Sequence, residues 1–467
     1  MSAPFGVIDS IGIEIAMSIP LISALIFIGV FAAVVLVHEF GHFVSARSLK
    51  VEVEEFGVGL PPRAWRFWRS RGALKVGRQR IEIPRNFDLP FQRQDGLNRP
   101  VEVVARKVGE KLVLEHIDLA AAEDGQYRPS QPEVVSLPND KVHISGILHE
   151  LALGTEFTLN WLPLGGFVRP KGENDPSIPG GLAASSPWVR LGVLFAGSFM
   201  NLLAGVLVNS MLFMQVGIPD MTRVMLYEIS PDSPAEQAGL QANDLILAVD
   251  GEQVTGDARF RSLIQSHLDQ PMRLTVLRGD ETFEVTATPL SSRSAEQGAL
   301  GILPGPPMVP PQSFFQTIPY GARYTYSQVR QILALPAMML RGSLSPEEGR
   351  FIGLKGIYDL FGQAVSRDVQ SRETASTTPE TTPVEPTNFT LQLIASLTIT
   401  LGIFNLLPFP ALDGGRILFV LPELFLRRRV PPQFENWVHG IGFALLILFM
   451  LYINAMDFIN PVDITLP

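Results

Sequence analysis

Four stretches of this chain are apolar over lengths comparable with the hydrocarbon core of a bilayer, and no other feature limits its fold so sharply. They run from Leu21 to Val37 (LISALIFIGVFAAVVLV), Leu191 to Val216, Leu391 to Leu407 and Val438 to Ile453. About 20 predominantly apolar residues suffice to span a membrane, and within hydrocarbon a single segment satisfies its own backbone only as a helix. For the shorter stretches the alternative is a buried core helix. The chain has 467 residues, 46% of them hydrophobic, and a mean hydropathy of +0.22. That is high for a soluble protein and low for a bundle of membrane helices alone. The expected fold is a polytopic α-helical membrane protein with four transmembrane helices and sizeable domains outside the bilayer.

Positive charges flanking the spans set the expected orientation. Arg47 and Lys50 follow the first span, and Arg169, Lys171 and Arg190 precede the second. Arg416 and the run Arg427, Arg428, Arg429 lie between the third and fourth. The N-terminal tail holds only Asp9 and Glu14, and the C-terminal tail only Asp457 and Asp463. Segment 220–290 has 12 acidic and 5 basic residues. The two basic loops are expected in the cytoplasm, with both termini and segment 220–290 outside. Residues 112–187 are net acidic, but they lie far along a long loop, where charge matters little. Residues 1–20 contain no Lys or Arg, so the first helix lacks the basic start of a signal peptide and is expected to be retained. The expected location is the cell (inner or plasma) membrane, multi-pass. A net charge of −9 argues against a nucleic-acid partner.

The organisation expected along the chain follows from these spans. Residues 1–50 hold the N-terminal tail and first helix, and 51–187 a β-rich cytoplasmic region. Within that region VEVEEFGVGLPPRAWRF alternates like a strand and ends in a Pro-Pro turn. Residues 70–150 read as a small β-rich insertion, and 155–168 as a strand followed by a Gly-Gly turn. The second helix covers 188–218. Residues 219–304 are expected to form a compact outer α/β domain: a short helix starts at Ala235, Gly239 ends it, and LILAVDG is a strand entering an Asp-Gly turn. This segment resembles a PDZ domain, with Asn243-Asp244 where Gly-Asp is usual. Amphipathic helices at the outer membrane surface are expected over 305–370, and a Thr/Pro/Glu-rich disordered linker over 371–388. The third transmembrane helix covers 389–415, a cytoplasmic loop 416–436, the fourth helix 437–456 and the C-terminal tail 457–467.

Chemistry concentrates in HEFGH, residues 38–42, which directly follow the first apolar run. Positions i and i+4 share one helical face, so His38 and His42 can offer two imidazoles to one metal with Glu39 beside them. HExxH on a helix is the zinc metallopeptidase pattern, and ionisable groups at membrane depth are usually functional. The chain has no cysteine, so any metal is held by His, Asp or Glu. Catalytic zinc takes three protein ligands and keeps a position for water. NLLPFPALDGGR, Asn405 to Arg416, offers the third, Asp413, after Pro408 and Pro410 break the helix. Read alone, that Asp also suits a simple Asp-Gly turn. His116, His143, His149, His267 and His439 read as ordinary surface or interface residues.

Together these motifs resemble the site-2 proteases, intramembrane zinc metalloproteases, in their RseP-like bacterial branch with a single PDZ domain. HEFGHFVSAR, EEFGVGLPPRAWRF, LPLGGFVRPKGE, AGSFMN and NLLPFPALDGGR carry the resemblance. Ser198 stands where the family often has Pro, and the family's Gly-Pro element before the third helix is degenerate in GRFIGLKGI. The resemblance implies Zn2+ on His38, His42 and Asp413, with Glu39 as general base. It implies Asn405, Pro408 and Pro410 at the substrate, together with an edge strand bearing Leu164, Gly165 and Gly166 that pairs with unwound substrate. Implied partners are transmembrane protein substrates, anti-sigma factors and remnant signal peptides among them, with the PDZ-like domain contacting or size-filtering them. The alternatives are a non-enzymatic membrane scaffold and a PDZ-bearing serine protease. The chain has no Gly-x-Ser-Gly-Gly run to support the second.

Overall fold

The computed structural model describes residues 6–91, 96–120, 133–292, 298–343, 350–377 and 388–460. Of the regions expected above, residues 378–387 of the linker and 461–467 of the C-terminal tail lie outside the described residues. The chain forms two compact units, one of residues 1–206, 325–373 and 389–467, the other of 207–324 and 374–388.

In the first unit α1 (Gly6–Ser48) carries the first apolar run and continues unbroken through HEFGH. Next, β1 (Val53–Arg69) pairs with β8 (Glu156–Pro170), and both strands double back. Residue Val58 pairs with Leu159 on one side and Gly166 on the other, and Gly57 likewise with Thr158 and Phe167. Four short arms therefore lie side by side, and the arm ending at Pro170 forms an edge. The doubling-back of β8 falls between Asn160 and Gly165, whereas the sequence suggested a turn at Gly165-Gly166. Those glycines stay inside the strand for a different reason. A Cβ on Gly165 would stand 2.7 Å from Val35 Cγ1, and one on Gly166 2.6 Å from Leu36 Cδ2. They let the strand lie against α1.

Between β1 and β8 come β2 (Gly72–Val76), β3 (Gln79–Ile83), β4 (Pro100–Val108), β5 (Lys111–Leu119), β6 (Glu133–Leu137) and β7 (Lys141–Ala152). Their order is β2-β3-β5-β4-β7-β6, and β2 also pairs with β7. Five of the strands thus close on themselves around Val76, Ile81, Ile83, Val101, Val103 and Ile144, all fully buried. Alternate residues point inward, as period-two apolar patterns require. Helix α2 (Pro187–Val216) follows, with proline at its first position, where the missing N–H costs nothing.

The second unit opens with the short β9 (Ile218–Pro219) and holds a sheet of β14 (Glu281–Ala287), β13 (Met272–Arg278), β11 (Leu245–Val249), β10 (Val224–Ile229) and β15 (Ile302–Gly305), in that order, with β12 (Glu252–Gln253) paired to β11. Ser233 Oγ accepts from Glu236 N to cap the short α3 (Pro234–Gln237). Gly239 has φ +82, the left-handed value expected where that helix stops. Together with α4 (Asp257–Ser266), these elements enclose a core centred on Phe260, Leu226, Met272 and Leu274.

Two long helices follow, α5 (Phe314–Leu340) and α6 (Leu354–Thr377). The latter runs seven residues into the stretch read as linker, because SRETAST holds no Pro or Gly and the first proline is Pro379. The chain then forms α7 (Phe389–Leu406), α8 (Asp413–Leu426) and α9 (Pro432–Ile459). Among the described residues four helices are long and apolar enough to cross a membrane, over Leu21–Ser48, Pro187–Val216, Phe389–Leu406 and Pro432–Ile459. They match the four apolar stretches.

Candidate metal centre

His38 and His42 stand one turn apart on α1, with their Nε2 atoms 3.1 Å from each other. Asp413 is the first residue of α8, where the helix dipole favours a carboxylate. Its Oδ2 lies 2.9 Å from His38 Nε2 and 3.2 Å from His42 Nε2. Zinc bonded tetrahedrally at about 2.0–2.1 Å keeps neighbouring ligand atoms about 3.3 Å apart. The three atoms therefore already outline one face of such a shell. Among the described residues no other group of three His, Asp or Glu side chains converges this way. His38 is buried, and the donor set is the N/O set zinc accepts without cysteine.

The neighbouring backbone fixes the imidazoles. His42 Nδ1 donates to the Val193 carbonyl of α2 at 2.8 Å. A carbonyl only accepts, so Nδ1 carries the proton and Nε2 turns its lone pair toward His38 and Asp413. Helix α2 comes this close because of two glycines. A Cβ on Gly197 would stand 2.4 Å from His42 Nε2, and one on Gly41 2.3 Å from the Ala196 carbonyl oxygen. Glu39 Oε2 accepts from the Val168 N–H at 3.0 Å, so the outer edge of β8 meets the carboxylate that stands between the two histidines in sequence. Asn405, at the end of α7, has Nδ2 3.4 Å from His38 Nε2, the far limit of a hydrogen bond. A cleft of about 320 Å³ opens here, bordered by Glu39, Phe167, Val168, Asn405, Leu412 and Arg416 together with the three converging side chains.

Helix α8 is braced from several directions. Arg416 pairs with Glu173, and Arg190 of α2 pairs with Glu423. Gly414 lies against the backbone of the preceding loop, where a Cβ would meet the Leu407 carbonyl oxygen at 2.2 Å.

The residues named from sequence therefore fall into two sets. His38, Glu39, His42, Asn405 and Asp413 come together. Leu164, Gly165 and Gly166 sit upstream on β8, the two glycines beside Val35 and Leu36, while Pro408 and Pro410 lie in the loop leading to Asp413. Sequence reasoning missed Val168 and Val193, which contribute backbone atoms and so leave no side-chain signal. It also missed Gly197, whose trace is the run of small residues Ala196-Gly197-Ser198.

A sequence model of Peptidase family M50 matches residues 26–74 and 141–449. The zinc metalloprotease RasP of Oceanobacillus iheyensis is 27% identical over 448 residues, covering 92% of this chain and 97% of the relative. The regulator of sigma-W protease RasP of Bacillus subtilis is 25% identical over 449 residues, again 92% and 97%. The zinc metalloprotease RasP of Geobacillus kaustophilus is 26% identical over 447 residues, 93% and 97%. With helix-borne histidines and an aspartate from a distant segment meeting at zinc spacing, and a family match spanning the first apolar helix through the last, the chain belongs to Peptidase family M50, the site-2 proteases, and is a multi-pass membrane zinc metalloprotease.

Proposed function

We propose that this protease cuts transmembrane segments of membrane-anchored proteins, with His38, His42 and Asp413 as zinc ligands and Glu39 as general base. The observation that carries the reading is the meeting of those three side chains beside Glu39 and an outer strand edge. Bound zinc supplies Lewis acidity that activates water and polarises a carbonyl at neutral pH. Glu39 takes the water's proton and passes it to the leaving nitrogen. A helical substrate hides its carbonyls in its own hydrogen bonds and must unwind first. The edge of β8 near Val168 pairs with the unwound strand, Asn405 holds it, and Leu164 to Gly166 with Pro408 and Pro410 shape the approach. Replacing Glu39 with Gln is expected to abolish cleavage of a transmembrane substrate while leaving zinc stoichiometry at the parent level. Continued cleavage by that variant rules out the assigned base.

In the proposed orientation both termini and residues 219–304 lie outside the cytoplasm and the β2–β7 insertion inside it, as the flanking Arg and Lys residues favour. The strand order and short capped helix of 219–304 support a PDZ-like reading. We assign it a sieving role that admits substrates only after their outer domains are trimmed. The relative named as regulator of sigma-W protease favours membrane-anchored anti-sigma factors as substrates. Deleting 219–304 is expected to release cleavage of untrimmed substrate, and selectivity that survives the deletion removes the sieve.

A further inference from the structure

The loop that leads from α7 to Asp413 is held by α9. Ala411 has φ +82, a left-handed backbone that crowds an alanine Cβ and is usually left to glycine or asparagine. Its N–H donates to His439 Nδ1 of α9 at 2.9 Å. One turn further along α9 is Gly442, where a Cβ would stand 2.2 Å from Pro410 Cβ and 2.9 Å from the Pro410 carbonyl oxygen. Pro410 therefore rests on bare helix backbone while its neighbour's N–H is gripped by a ring nitrogen. The His439 ring is itself set against Phe419 of α8, with centroids 5.4 Å apart. Only Leu412 separates Ala411 from Asp413.

We propose that His439 is a positioning residue: by accepting the Ala411 N–H it fixes the left-handed turn and thereby places the Asp413 carboxylate against His38 and His42. The inference rests on the reading of Asp413 as a zinc ligand. An N–H can be received only by a ring nitrogen with a free lone pair, so His439 acts with Nδ1 unprotonated. Asparagine carries an acceptor oxygen at a comparable position on the side chain, and leucine fills similar space with none. At position 411 glycine adopts positive φ without steric cost, which makes the external grip dispensable. A purely space-filling role for His439 responds to neither of these changes.

The test uses the full-length protein in detergent micelles, with zinc affinity read by competition against a chromogenic chelator and folding by size exclusion and thermal melting. His439→Leu is expected to weaken zinc binding by about 10–100-fold, the usual effect of losing an outer partner of a metal ligand. His439→Asn is expected to recover most of that loss, as is Ala411→Gly added to His439→Leu. Parent-like zinc binding in His439→Leu overturns the proposal, and so does a His439→Asn variant as weak as the leucine variant. Should His439→Leu not fold, the asparagine and double variants decide by the same readout. Asp413→Ala is the reference. If it loses zinc while His439→Leu does not, the anchor alone is wrong; if it binds zinc as the parent does, the ligand assignment falls and the anchor with it.

Discussion

Glu55 and Glu156 show how single carboxylates knit the doubled strands beside the metal centre. Glu55 is buried and accepts from Thr158 Oγ1 at 2.8 Å, while Arg63 and Arg169 reach its two oxygens at 2.9 and 3.0 Å. One side chain thus ties its own arm to the other three. At the neck of the sheet Glu156 ties its own arm to the returning arm of β1. Burial works against its charge, but Arg69, Arg63 and Arg66 surround it and hold its carboxyl below the ordinary glutamate value of 4.5. A carboxylate with a depressed folded pKa adds stability that is complete above its unfolded pKa and is lost as pH falls through the folded one. Melting temperature should therefore separate the parent from Glu156→Gln by a constant margin above about pH 5, and the margin should shrink at more acid pH. Curves that stay parallel down to pH 3 remove the assigned pairing. At this scale the sequence is legible where side chains form a pattern. The i, i+4 spacing of HEFGH placed both imidazoles on one face, whereas Asp413, the proposed third ligand, was a candidate that the family resemblance had to strengthen, since LDG alone also suits a turn.

At the level of elements, glycine is where sequence and structure part. Gly165-Gly166 looks like a turn because a chain reversal and a close helix approach demand the same residue. The structure uses the pair for approach, and Gly165 at φ +75 kinks the strand without ending it. Pro187, Pro408 and Pro432 stand at or beside helix boundaries by a local rule. Yet the apolar pattern alone ran the third helix to 415 and started the fourth at 437, where the structure ends one at Leu406 and begins the other at Pro432. His439 shows the opposite limit: its partner is a backbone N–H 28 residues away, and nothing in the pattern of α9 announces it. The contact of β8 with α1 has a consequence for catalysis. Because a Cβ on Gly166 would stand 2.6 Å from both the Gly57 carbonyl oxygen and Leu36 Cδ2, Gly166→Ala forces the strand off the helix. Val168, two residues on, then withdraws its N–H from Glu39. Zinc content should stay at the parent level, while kcat for a transmembrane substrate falls at least about tenfold, as small misplacements of catalytic groups commonly cause. Unchanged kcat in a correctly folded variant detaches the strand from the chemistry.

Across the whole molecule, the β2–β7 insertion is joined to the rest of its unit by a narrow neck. Arg69 pairs with Glu156, Ser70 N donates to the Thr155 carbonyl at 2.9 Å, and Thr155 N donates to Ser70 Oγ at 2.8 Å. The chain therefore leaves β1 and enters β8 at adjacent points. Between them β2–β5 and β7 close on their own buried core, and Asn86, Phe87 and Asp88 reach back to Arg66 and Arg69 at the neck. The family model passes over the same region, stopping at residue 74 and resuming at 141. A part with its own core and adjacent ends has little to contribute to the stability of its host, because loop closure between neighbouring points costs the same few residues with or without it. Replacing residues 71–154 with a short Gly-Ser turn should leave Ser70 and Thr155 paired and the four arms intact. The shortened protein should enter membranes, bind one zinc per chain and melt within a few degrees of the parent, since the hydrophobic contacts removed are internal to the insertion. Loss of zinc from the shortened protein, with its helices still inserted, shows that the insertion supports the centre through contacts beyond the neck.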